Sequence, residues 1–329
     1  MPAIEVQNLC KTFKVHQKQP GLRGSIRSLF RRAWTYKPAL TDVSFTINQG
    51  EITGLVGANG AGKTTLIKIL SGVIFRDRGT VSVLGYDPWE RKNEFRSKIA
   101  LIMGQKAQLW WDLPAADCFL LLREIYRIPK EEYHIRLENL ATILDVSHLL
   151  TTQIRRLSLG ERMKMELIAA LLHNPSVIYL DEPTIGLDIT SQRAVRNFLL
   201  EYNRRHSPAM IITSHYMEDI KSLCERLIII RKGTIVYDGP LTHIVGEHVR
   251  YKIVTAHLPE GIRVSEIASS LPETIGRVVP GTDNILRVQV QRRYAVAAAQ
   301  HILSSWDIAD LAIEEEDIST IIESIQKDG

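Results

Sequence analysis

Gly57-Ala58-Asn59-Gly60-Ala61-Gly62-Lys63-Thr64 is the stretch that decides the fold. Two glycines bracket four residues, and a lysine and a hydroxyl residue follow, which is the pattern of a phosphate loop. The apolar, strand-like run Ile52–Val56 precedes it. A helical run over 65–70 follows, stopped by Ser71-Gly72. Glycines give the backbone the φ angles that let successive N–H groups converge on phosphate oxygens, and the N-terminus of the helix adds partial positive charge. Lys63 is placed to neutralise the terminal phosphates of a nucleotide, and Thr64 to ligate Mg²⁺. A glycine-rich turn with an incidental lysine would have no reason to sit between a strand and a helix.

Working outward, a second strand-like run at 177–180 leads straight into Asp181-Glu182. In a phosphate-loop fold the carboxyl end of such a strand faces the nucleotide. Asp181 can then hold Mg²⁺, and Glu182 can polarise the attacking water as general base. Two adjacent acids repel each other unless a cation lies nearby, a further reason to expect Mg²⁺. Alone, the pair could be a solvated turn; with the phosphate loop it reads as a hydrolytic site.

Strand-like runs at Ile52–Val56, Ile99–Met103, 177–180 and 210–213 alternate with helical patterns. That alternation predicts an α/β architecture with a mainly parallel sheet. Residues 112–153 read as almost entirely helical, interrupted at Pro129, so a helical insertion is expected at about 106–165. Residues 1–16 read as short strands. Residues 17–38 contain six Lys or Arg and no acid. Leu22, Ile26, Leu29, Ala33 and Trp34 recur there at helical spacing, which suggests a basic amphipathic helix for an anionic membrane face or a partner. The turn-rich Asp238-Gly239-Pro240 closes the first domain, taken as 1–245. A small α+β domain follows over 246–329. Its strands are expected at 251–255 and 285–290, its helices at 264–271 and 294–304, and an acidic stretch over 313–318 opens a last helix.

The chain has 329 residues, 45% of them apolar and 24% charged, with a net charge of +4. This is an ordinary globular composition, and so mild a basic bias implies no nucleic acid. Cys10, Cys118 and Cys224 fit no metal spacing and read as reduced thiols. No signal peptide is expected at the N-terminus, and no apolar run approaches the roughly 20 residues of a bilayer span.

Leu157-Ser158-Leu159-Gly160-Glu161-Arg162 closely resembles the signature motif of the ATP-binding cassette family. It opens a helix, and His173-Asn174-Pro175 leads from there to the strand carrying Asp181, in the family's order and spacing. Gln105 resembles the Q-loop glutamine, which implies a role in hydrolysis and at Mg²⁺. Gly186-Leu187-Asp188 resembles the D-loop and His215 the switch histidine. Phe13 falls where an aromatic stacks on adenine. The resemblance covers residues 1–240 and implies ATP contacts from Phe13, Gly57, Asn59, Gly60, Ala61, Gly62, Lys63, Thr64 and Thr65. It implies further contacts from Ser158, Gly160, Glu161 and Asp188, with hydrolysis carried by Glu182, His215 and Gln105.

In that family two cassettes meet head to tail, and the signature of one closes on the nucleotide of the other. This chain carries each motif once, so a second cassette is implied, identical or related. Leu159 stands where the family usually has glycine and needs space at such an interface. Glu161 replaces a glutamine, and Phe13 a tyrosine. One cassette followed by a small α+β domain resembles the ATPases of multidrug-type exporters whose permeases are separate membrane chains. That resemblance implies export of drugs, toxic organic cations or lipid-like molecules, from the cytoplasmic face of the membrane. The insertion before the phosphate loop is also similar to that of polysaccharide exporters. Cassette proteins acting on ribosomes or DNA form another class, but they usually carry two cassettes or a long coiled coil. Trp110-Trp111, after Gln105, suggest an anchoring contact with another chain.

Overall fold

A computed structural model describes residues 2–16, 34–104, 108–248, 251–259, 276–279 and 285–315. Strands β1 (Pro2–His16) and β2 (Trp34–Asn48) form a long antiparallel pair, with Phe13 opposite Lys37 and His16 opposite Trp34. Residues 2–16 are thus one strand where short pieces were expected. Trp34, assigned above to an amphipathic helix, is instead the first residue of β2, because pairing with β1 satisfies its backbone. The rest of that expected helix lies outside the described residues.

Strand β3 (Ile52–Val56) follows and is buried at all five positions. The phosphate loop and helix α1 (Lys63–Leu70) come next, and β4 (Arg78–Val83) returns to pair antiparallel with β1. After the single turn α2 (Asn93–Arg96) comes β5 (Ile99–Met103). Helices α3 (Ala115–Tyr126) and α4 (Lys130–Ile143) each begin directly after a proline, Pro114 and Pro129. Proline lacks an N–H and disfavours helix in the residue before it, so both sites suit a helix start. Helix α5 (Leu159–Leu171), β6 (Val177–Asp181), α6 (Ile189–His206), β7 (Ala209–Thr213), α7 (Met217–Leu223), β8 (Arg226–Arg231) and β9 (Thr234–Pro240) complete this unit.

The central sheet has the order β5-β6-β7-β3-β8-β9, with parallel pairing at every contact from β5 to β8. Strands β6 and β7, like β3, are buried throughout, as expected when both faces of a parallel sheet are covered. β7 lies between the strand before the phosphate loop and the strand ending in Asp181. Packed against the sheet, Leu66, Ile67 and Leu70 of α1 share a core with Leu55, Tyr179, Ile211 and Ile228.

The chain divides into two compact units, residues 1–239 and 240–329. The second begins with α8 (Leu241–His248). Strands β10 (Tyr251–His257), β11 (Arg277–Val279), β12 (Ile285–Gln291) and β13 (Asp310–Glu315) form an antiparallel sheet of order β11-β12-β10-β13. Helix α9 (Ala295–Ser305) buries Ala295, Ala298, Ala299 and Ile302 against Val254, Leu286 and Val288. Residues 313–315, read above as opening a helix, belong to β13: Ile313 pairs with Val254, and alternation along a sheet edge outweighs the helical preference of the acids. The expected helix at 264–271 lies outside the described residues.

Candidate functional site

The phosphate loop leaves β3 and turns into α1, which begins at Lys63 and thereby points its first N–H groups back into the loop. Gly62 has φ 118°, and a Cβ there would lie 2.6 Å from the Ala39 carbonyl oxygen, so only glycine fits. Gly57 and Ala61 are buried, Asn59 and Gly60 are exposed at the tip, and Thr65 is half-buried in the first turn. The Lys63 ammonium is buried and donates to the carbonyls of Gly57 at 2.5 Å and Ala58 at 3.2 Å. Burial pulls its pKa below the usual lysine value, and the nearby charges of Glu182 and Asp181 oppose that pull.

The topology brings three strand ends together. The Thr64 hydroxyl donates to Asp181 Oδ2 at 3.0 Å, and the Thr213 hydroxyl donates to Asp181 Oδ1 at 2.7 Å. The N–H of Glu182 points to the same Thr213, at 3.0 Å from its hydroxyl and 3.1 Å from its carbonyl oxygen. Glu182 has φ 57°, a left-handed conformation that is costly for a residue with a side chain. Its carboxylate accepts from His215 Nε2 at 2.9 Å, so the expected base and switch histidine do meet. Thr213 escaped the sequence reading, although a hydroxyl at the end of a buried apolar run was a visible signal.

Gln105 lies outside the described residues. Gly104, just past the end of β5, donates an N–H to the Asp181 carbonyl at 2.8 Å. Further along, the N–H groups of Gln108 and Leu109 donate to the buried Glu166 carboxylate at 2.8 and 3.2 Å. Burial raises the Glu166 pKa, and the two backbone donors work against the rise. An acid on the apolar face of α5 was the signal for this tether, and the sequence reading passed over it. Trp110 and Trp111 are 44% and 50% exposed, and the Arg162 guanidinium lies 5.1 Å from the Trp111 ring centroid.

At the start of α5, Ser158 and Glu161 form a capping box. Ser158 N–H donates to Glu161 Oε2 at 2.8 Å, and Glu161 N–H reaches the Ser158 oxygen at 3.3 Å. The Ser158 backbone donor holds the Glu161 carboxyl below the usual range. Asp188, expected at the nucleotide, is the N-cap of α6 here, accepting from Ser191 N–H at 2.9 Å and the Ser191 hydroxyl at 2.6 Å. Gly160 packs against the same Ser191, with 2.5 Å between a built Cβ and the hydroxyl oxygen. Leu159 leans over Gly186: a Cβ at 186 would lie 3.1 Å from Leu159 Cδ2. The bulk that replaces the family's usual glycine thus touches its own chain at Gly186 while staying 38% exposed. Phe13 is half-buried in β1, with the Lys11 ammonium 5.5 Å from its ring centroid.

A family model described as "ABC transporter" matches residues 40–185, from the middle of β2 through the carboxylates. The ABC transporter ATP-binding protein NatA of Bacillus subtilis is 32% identical over 62% of this chain and 82% of its own length. The doxorubicin resistance ATP-binding protein DrrA of Mycobacterium tuberculosis is 29% identical over 88% of this chain and 89% of its own. The methionine import ATP-binding protein MetN of Geobacillus kaustophilus is 31% identical over 63% of this chain and 61% of its own. The fold is shared with a solved dimeric ATP-binding cassette, MJ0796 in a post-hydrolysis state with ADP and phosphate. That likeness has a TM-score of 0.60 at 21% identity and covers 72% of this chain and 98% of that one. Similarity to NatA over most of NatA's length, together with a family match that spans the phosphate loop and its carboxylates, makes this chain an ATP-binding subunit and ATPase of the ABC transporter family.

Proposed function

We propose that the chain powers an exporter, hydrolysing ATP as one of a pair of cassettes beneath permease subunits encoded on other chains. The observation that carries this reading is the co-linear likeness to a drug-resistance ATP-binding protein along nearly the whole of both chains, the small C-terminal unit included. The methionine import relative is similar over 63% of this chain. Drugs or toxic organic cations are the substrate class that follows. Among the described residues no helix is long and apolar enough to cross a membrane, which agrees with a passage built by other chains. A groove of about 370 Å³, lined by Val73, Arg96, Trp110, Leu122, Tyr126 and His173, suits a short helix from such a permease. Leu121 and Ile125 of the same helix α3 are exposed. A place on the cytoplasmic face of the membrane follows from that docking.

In the hydrolytic step Lys63 and the first N–H groups of α1 hold the β- and γ-phosphates. The Thr64 hydroxyl and Asp181 carboxylate are adjacent hard oxygens beside the loop, a donor set that fits Mg²⁺. Bound there, Mg²⁺ would offset charge on the phosphate oxygens. Glu182 orients and deprotonates the attacking water, and His215 fixes the Glu182 carboxylate. Ser158 and the N-terminal N–H groups of α5 supply the remaining donors to the nucleotide of the opposing cassette. The test is affinity purification of the tagged chain from its native membranes, with mass spectrometry of its partners. Multi-span membrane proteins are expected. Ribosomal or DNA-repair proteins without any membrane partner would overturn the transporter reading and leave the ATPase.

A further inference from the structure

Asp219, in the first turn of α7, is fully buried and ties three elements together. Its Oδ1 accepts from Arg196 Nη1 of α6 at 2.8 Å. Its Oδ2 accepts the hydroxyl of Ser214 at 2.7 Å and that of Thr184. Arg196, Ser214 and Thr184 are buried as well, so little water competes for these bonds. The Ser214 hydroxyl also accepts the Tyr216 N–H at 2.9 Å. His215 therefore sits between two residues anchored to Asp219, and Glu182 lies two residues before the third.

A carboxylate buried this deeply is tolerated only when charge and lone pairs are all answered, as they are here, and such a group has almost no freedom to move. Glu182 needs that rigidity. Its left-handed φ persists only if the chain is held on both sides. Thr213 grips the Glu182 N–H on one side, and Thr184 bound to Asp219 grips the other. Asp219 and His215 lie on the same chain segment, so one carboxylate sets the approach of the histidine and the acid whose side chains are 2.9 Å apart.

We infer that Asp219, paired with Arg196, is a positioning residue for hydrolysis: through Thr184 and Ser214 it fixes the spacing of Glu182 and His215. The inference rests on the proposed roles of those two residues. Asp219→Asn leaves Arg196 buried without its counter-charge and can fail to fold, so the decisive variant is Thr184→Val. It keeps shape and the Asp219–Arg196 pair and deletes one hydroxyl. For Thr184→Val, kcat is expected to fall about 10- to 100-fold, a fraction of what a full general base supplies. ATP affinity, read with a fluorescent nucleotide on the full chain, should stay within about twofold, and Thr184→Ser should restore turnover. Normal kcat in Thr184→Val, or a fall matched by the loss of ATP affinity, would overturn the inference. Glu182→Gln serves as the control: if it turns over normally, the underlying assignment fails; if it is inactive while Thr184→Val is normal, only the positioning role fails.

Discussion

Gly160→Ala probes why the signature turn needs glycine. A Cβ at 160 would lie 2.5 Å from the Ser191 hydroxyl oxygen and 3.2 Å from the Ser191 Cβ. Ser191 cannot swing away cheaply, because its N–H and hydroxyl are both held by Asp188 at 2.9 and 2.6 Å. Forcing a methyl group into a packed contact costs about 1–3 kcal/mol. Replacing glycine by alanine in a helix returns up to about 1 kcal/mol. With a cost near the middle of that range, about 2 kcal/mol, the net loss is about 1–2 kcal/mol, and with a urea slope of roughly 2 kcal/mol/M the midpoint should fall by about 0.5–1 M. Tryptophan fluorescence on the full chain in a urea series is the assay. Ser191→Ala removes the atom nearest the new methyl group, so adding it to Gly160→Ala should recover most of the midpoint. ATP turnover then separates two reasons for the glycine. A double variant that regains stability without turnover points to close approach of phosphate; one that regains both points to packing against Ser191 alone. An unchanged midpoint in Gly160→Ala, or strict additivity of the two substitutions, would refute the packing argument.

Glu182→Gln should keep ATP binding and lower kcat by about 10²–10⁴, read by phosphate release; near-normal turnover would remove Glu182 from the role of base. Asp188→Ala should lower the thermal or urea unfolding midpoint through loss of the α6 N-cap, and ATP affinity of the single chain should not change. Asp87 accepts bidentate bonds from Arg76 at 2.9 and 2.8 Å, which hold its carboxyl below the usual range. A carboxyl depressed in the folded state contributes stability above its unfolded pKa, about 3.9, and loses it as pH falls through the lower folded value. Asp87→Asn should thus cost roughly 1 kcal/mol at pH 7, given partial exposure, and the gap to wild type should close as pH drops below about 4. A gap that stays constant with pH would assign the effect to the Trp89 N–H contact instead.

Much of the cassette was legible in one dimension. The phosphate loop, the strands Ile52–Val56 and Ile99–Met103, the carboxylates after β6 and the capped turn at Ser158 are each set by residues within a few positions of one another. Local sterics, capping and the burial of whole strands are written in adjacent residues, and the order of the motifs then fixes the family. Tertiary structure alone decided the rest. It inserted β7 between the two nucleotide-facing strands, which is why Thr213 bridges Asp181 and Glu182. It also packed Leu159 against Gly186, and turned Trp34 and residues 313–315 into sheet edges. It joined Asp219 to Thr184, 35 positions away in the chain. Hydrogen bonds and packing between residues far apart in sequence depend on which strands become neighbours, and strand order follows from how the helices cover the sheet rather than from any single motif.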